Sequence, residues 1–151
     1  MSDARLSETP RAPLRLPVGR VAVLLGPACA RADVLATLDD ATARCGAGHD
    51  RVAVRRLRAA GGASATARLD ALAEARAERP AVVLVDRFTE GLSAGDRRRV
   101  LSALREVAGT GAAVLVDDPE PVAALAYADV ALRVGGAGAP AVEEIDGLGA
   151  A

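Results

Sequence analysis

Two short runs constrain this chain more than anything else in it: "AVVLVD", ending at Asp86, and "AAVLVDD", ending at Asp117 and Asp118. Each is apolar at every position until it meets a carboxylate. A strand with one wet face alternates apolar and polar residues, whereas an unbroken apolar strand is covered on both faces, as in a parallel sheet flanked by helices. "GRVAVLLGPA" supplies a third such run, closed by Gly26-Pro27. In open parallel sheets ligands lie beyond the carboxyl ends of the strands. The aspartates and the Gly-Pro turn are therefore the first places to look for chemistry.

The segments between these runs read as helices. Arg31 to Arg44 is rich in Ala and Leu. Ser64 is placed to cap a helix from Ala65 to Glu78, with Leu69, Leu72 and Ala73 on one face, and Arg79-Pro80 stops it. Ala94 to Ala108 puts Val100, Leu101, Leu104 and Val107 on one stripe and leaves Arg97, Arg98 and Arg105 in water. "PEPVAALAYA" is a short helix with proline near its start. "RVAVRRLR" reads as a short exposed strand, "DVALRVGG" as a strand and "PAVEEI" as a last edge strand. The alternation of strand and helix predicts an α/β fold of three layers, a mostly parallel sheet with helices on both faces. The expected organisation is a loose tail over 1–15, one domain over 16–146 and a short tail over 147–151.

Composition narrows the function. Just over half of the 151 residues are hydrophobic and only 1% are aromatic, so the core is built from Ala, Val and Leu and no base-stacking platform is available. A net charge of -1 argues against bulk nucleic-acid binding. No apolar run reaches the roughly 20 residues of a membrane span, and the first residues lack the apolar stretch of a signal peptide. These features predict a cytoplasmic protein. Cys29 and Cys45 lack metal-motif spacing, and the single histidine, His49, reads as a solvated loop residue. Every basic residue is arginine, and the chain has no Lys, Gln or Asn.

Two stretches resemble a known family. "LPVGRVAVLLGPACARADVLATL" is similar to the strand, phosphate-binding loop and helix that open the ATP-binding subunits of ABC transporters. "ERPAVVLVDRFTEGLSAGDRRRVLSALREVAGTGAAVLVDDPEPVAALAYADVALRVGGA" resembles their closing half, from the Asp-bearing strand through the following loop and helix to the last strand. "GGASATARLDALAEARAERP" is similar to their signature segment, without its glutamine. The resemblance implies a P-loop NTPase-like sheet without the helical subdomain, for which the interval from Arg44 to Pro80 is too short. It also implies that the strand of Asp86 ends beside the Gly26 turn, with the strand of Asp117 on the other flank of the Gly26 strand.

The departures from that family decide the chemistry. A phosphate-binding loop reads G-x-x-x-x-G-K-[ST]. Here Gly26 and Pro27 begin it, and Arg31, Ala32 and Asp33 fill its last three positions. Arg31 replaces a glycine that lets the backbone wrap a phosphate, Ala32 replaces the lysine, and Asp33 sets a carboxylate toward a polyanion. Two like charges at about 4 Å repel by roughly 4 kcal/mol at an effective dielectric near 20. Arg31 is the one group here able to pair with phosphate. Arg87 follows Asp86 where the family carries a glutamate base, and a guanidinium cannot accept a proton. Phe88 stands for the family's proline, Ser93 for an aspartate, and Asp117-Asp118 where a histidine is expected.

No catalytic residue is therefore assigned. Gly26, Pro27, Arg31 and Asp33 are the candidate nucleotide contacts and Asp86 the candidate magnesium ligand, alone or with Asp117 and Asp118. The expectation is a non-hydrolysing relative of ABC ATP-binding subunits. It would work by binding a membrane permease subunit, an intact ATPase subunit or a second copy of itself, and not nucleic acid. One alternative retains ATP and magnesium binding or weak hydrolysis. Another is an unrelated small α/β interaction domain. Arg97, Arg98 and Arg99, set at the positive end of a helix, are candidates to meet an acidic partner.

Overall fold

The computed structural model describes residues 16–44, 54–135 and 141–144. Its elements run β1 (Val21–Leu25), α1 (Ala28–Arg44), β2 (Val54–Arg58), α2 (Ala65–Glu78), β3 (Val82–Asp86), α3 (Ala94–Ala108), β4 (Ala113–Asp117), α4 (Pro121–Ala124), a 3-10 turn (Leu125–Tyr127), β5 (Val130–Arg133) and β6 (Ala141–Glu144). The two tails, Cys45 and His49 lie outside the described residues.

The strands form one sheet in the order β2-β3-β4-β1-β5-β6. Five run parallel, and β6 pairs antiparallel with β5 at the edge. Residues alternate between the two faces, as the pleat requires. Val21, Val23, Val83, Val85, Val114 and Val116 pack under α2 and α3. Ala22, Leu24, Leu84, Leu115 and Leu132 pack under α1 through Leu35. The fold is thus the expected three-layer, mostly parallel α/β arrangement.

The helices form for local reasons. Ser64 Oγ accepts from the Ala67 amide and Ser93 Oγ from the Asp96 amide, so both α2 and α3 start on a side-chain cap. Helix α2 ends at Arg79, whose φ of 50° and ψ of 54° are left-handed, and whose N–H donates to the Arg76 carbonyl. Proline at position 80 keeps the preceding residue out of the right-handed helix. On α3 the predicted stripe Val100, Leu101, Leu104 and Val107 is buried, each side chain contributing about 1.5–3 kcal/mol.

Four expectations are corrected. Helix α1 begins at Ala28, not Arg31, and consumes the segment expected to form a loop. The inward stripe of α2 is Ala65, Arg68, Leu72 and Ala75, while Ala73 faces solvent. Arg97 is not in open water, since its side chain is only 13% exposed. The strand of Asp86 does not lie beside that of Gly26, because β4 separates β3 from β1. Strand β4 is buried at all five positions, and such a strand belongs in the middle of the sheet.

Candidate functional site

The carboxyl ends of β1, β3 and β4 bring Gly26, Asp86 and Asp117 to one edge of the sheet. Asp86 and Asp117 are direct register partners. They share a face with Leu84 and Leu115 and so project toward α1. Asp118, one residue further, goes the other way. Its carboxylate accepts from Thr89 Oγ1, from Arg97 at 3.3 Å and from the Glu120 amide at 2.9 Å. The period of two separates Asp118 from the other pair. Among the described residues no three acidic, cysteine or histidine side chains converge as a metal site.

Each carboxylate already has a cation of this chain. Arg56, on β2, donates to Asp86 Oδ2 from Nη2 at 2.7 Å and from Nε at 3.2 Å. Arg58, two residues along on the same strand face, reaches the same oxygen at 3.9 Å. Arg31, on α1, donates from Nη1 to Asp117 Oδ1 at 2.9 Å and to the Asp118 carbonyl at 2.6 Å. The Arg31 and Asp117 side chains are 7% and 3% exposed. Burial pushes the Asp117 carboxyl up from its ordinary range, against the lowering influence of Arg31, and the neighbouring Asp86 and Asp118 charges add to the rise.

The turn after β1 is short. Gly26 and Pro27 alone separate the strand from α1, and the Arg31 amide donates to the Pro27 carbonyl as part of the helix. Gly26 has φ +134°, and a Cβ there would lie 2.3 Å from the Val134 carbonyl oxygen. A Cβ on Gly135 would lie 2.9 Å from Pro27 Cδ. The end of β5 is folded over the turn, and Gly26 serves that close approach. Ala32 and Asp33 are exposed on α1, and Asp33 turns its carbonyl to Thr37 Oγ1.

The backbone that would wrap a phosphate is wound into helix, Arg31 is turned inward onto Asp117, and Arg56 occupies the Asp86 carboxylate.

The loop from Arg87 to Leu92 is braced from inside. Arg68 on α2, buried, donates to the Phe88 carbonyl at 3.0 Å, the Glu90 carbonyl at 2.6 Å and the Ala63 carbonyl at 3.0 Å. The Arg87 amide donates to the Asp117 carbonyl at 2.8 Å, and its guanidinium turns out to Glu90. That hydrogen bond holds the Glu90 carboxyl below its ordinary range. Phe88 is buried in the core rather than at the site.

Sequence reasoning found Gly26, Arg31, Asp86 and Asp117 at one edge. It missed Arg56, Arg68 and Thr89. The signal for Arg56 was present in "RVAVRRLR", where a period of two puts Arg56 and Arg58 on one face. Arg68 gave none, since an arginine on an Ala-rich helix reads as solvated.

Among solved structures the chain is similar to one described as an ATP-binding subunit of an ABC transporter. The TM-score is 0.56 at 12% identity, over 88% of this chain and 82% of the other. The fold resembles that of an ABC ATP-binding subunit. A bacterial Atm1-family ABC exporter with ATP bound also matches, with a TM-score of 0.48 and 18% identity, over 83% of this chain and 34% of that one. No protein-family model matches the sequence. No curated protein matches it either. No helix among the described residues is long and apolar enough to cross a membrane.

Proposed function

We propose that the chain is a non-hydrolysing protein on the ABC ATP-binding fold, acting in the cytoplasm by docking to a membrane permease subunit or to an intact ATPase subunit. One observation carries the reading: Asp86 and Asp117 are each neutralised by an arginine of the same chain, Arg56 and Arg31. Hydrolysis of a phosphoanhydride needs stabilised phosphate charge and a positioned water. The groups at this edge are committed to one another instead. Arg87, in the place where the family carries its base, offers no proton acceptor and turns outward onto Glu90. The class of partner comes from the fold likeness, and binding is the work left to a domain whose cleft is filled by its own side chains.

The test is nucleotide binding. A ligand at 100 times its dissociation constant adds about 2.7 kcal/mol to stability. For a domain of this size that raises the melting temperature by roughly 5–10 °C. The expected result is an unchanged melting temperature in millimolar magnesium-ATP and no release of orthophosphate. Turnover that disappears in Asp86→Ala would overturn the proposal.

A further inference from the structure

We propose that the groove between α3 and α4 receives an acidic amphipathic segment of a partner protein. The three arginines at the start of α3 separate by environment. Arg97 pairs with Asp118 and with Glu120 at 3.1 Å, and Arg99 pairs with Asp96 at 3.3 Å. Arg98 is exposed and has no ion pair among the described residues. It stands over a groove of about 330 Å³ whose floor and walls include Leu92, Leu101, Ala123, Ala126 and Tyr127. Arg105, two turns further along α3, is also exposed, and donates only to the Tyr127 carbonyl. On the α4 side Val122 is 76% exposed, one of two large apolar side chains so open among the described residues.

The charge pattern chooses the occupant. Arg98 and Arg105 are exposed cations with no ion pair among the described residues, one in the second turn of α3 and the other in its last. An apolar floor beneath such cations is matched by a segment with apolar side chains on one face and carboxylates beside them. Glu120, the one acidic residue lining the groove, shares Arg97 with Asp118, so the positive charge offered to incoming carboxylates is that of Arg98 in the groove and Arg105 beside it. The proposal rests on the docking role given above and names the surface and the chemistry of the partner.

The chain offers its own reporter. Tyr127 is its only tyrosine and there is no tryptophan, so the intrinsic emission comes from the groove. Two synthetic amphipathic peptides without aromatic residues serve as probes, one alternating Leu with Glu and the other Leu with Lys. The expected result is a saturable change of Tyr127 emission with the Glu peptide only, its affinity about tenfold weaker in Arg98→Glu. No saturable change, equal affinity for the Lys peptide, or unchanged affinity in Arg98→Glu would overturn the proposal. So would a self-association, seen by sedimentation, that Arg98→Glu abolishes, since the groove would then belong to a second copy of the chain. Nucleotide plays no part in the measurement. Observed ATP turnover would therefore sink the non-hydrolysing reading and leave the groove standing.

Discussion

Asp86 and Asp117 sit opposite each other at the last paired positions of β3 and β4, and the cations that hold them come from two different elements. Arg56 comes along the sheet from the edge strand, and Arg31 comes down from the helix above. Two carboxylates on adjacent strand ends would repel each other if left bare. The chain relieves that repulsion with its own guanidinium groups. The same ion pairs tie β2 and α1 to the centre of the sheet.

The Arg31–Asp117 pair is buried on both sides, so removing one partner strands a charge. Arg31→Met or Asp117→Leu alone is expected to cost about 3–5 kcal/mol in urea unfolding. The double variant recovers part of that loss. It retains a deficit of about 1–3 kcal/mol, because the Asp118 carbonyl still lacks the Arg31 donor. Glu90→Gln, which breaks the exposed pair with Arg87, lowers the unfolding midpoint far less than either buried-pair variant. Single variants at the buried pair that unfold like the wild type would show that the pair contributes nothing.

Acid titration has a sign set by Asp117. Its folded-state carboxyl is raised above the ordinary value of 3.8, chiefly by burial. As pH rises from about 4, the unfolded chain gives up this proton before the folded chain does. The group's contribution is therefore complete below the unfolded value and is lost as pH rises through the folded value. The stability of the wild type minus that of Asp117→Asn should fall across this window. Glu90, lowered by Arg87, works in the opposite sense, and its stabilisation fades as pH falls below its ordinary value of 4.5. A wild-type minus Asp117→Asn difference that grows with pH would contradict the assignment for Asp117.

Arg68 is expected to control the order of the loop after β3. Arg68→Ala removes the donor from three carbonyls and is predicted to cost about 2–4 kcal/mol, since one or two of them regain water. Amide exchange should rise at Glu90 and Leu92, whose N–H groups close turns in that loop. Arg68→Lys rescues only part of the effect, because one ammonium cannot reproduce a planar fork spread over three acceptors. Exchange that rises evenly along the chain would mean a general loss of stability and no special hold on the loop.

What the sequence made legible follows from the kind of signal involved. Continuous apolar runs and the 3.6-residue stripe of α3 are dictated by burial, so the layers and the parallel sheet could be read directly. Ser64 was readable because a cap acts within one turn. Strand order was not. Whether β4 or β3 neighbours β1 depends on crossovers between segments roughly 60 to 90 residues apart, and no residue in "AVVLVD" or "AVLVD" encodes a neighbour. The site failed at the same range. Arg31 was visible as a misfit in a phosphate loop, but its partner Asp117 lies 86 positions away. Helix α1 starts early for a local reason: Ala28, Cys29 and Ala30 contain nothing to hold a loop open once Gly26-Pro27 has made the turn.

Gly26 and Arg79 make opposite predictions from the same backbone rule. Gly26 holds φ +134° and faces the Val134 carbonyl, which itself lies at the residue whose N–H donates to the Leu25 carbonyl. Gly26→Ala must both strain the backbone and push β5 off the turn, a loss of at least about 2 kcal/mol. Arg79 holds φ 50° with an ordinary side chain at the C-terminus of α2, where glycine is favoured. Arg79→Gly relieves about 1–2 kcal/mol of left-handed strain and returns part of it as greater freedom of the unfolded chain. The net expectation is a gain of about 0.5–1 kcal/mol. Urea unfolding of the two variants checks both signs. A neutral Gly26→Ala would show that β5 does not press on the turn, and a destabilised Arg79→Gly would show that the arginine side chain holds the end of α2 by a contact that outweighs its strain.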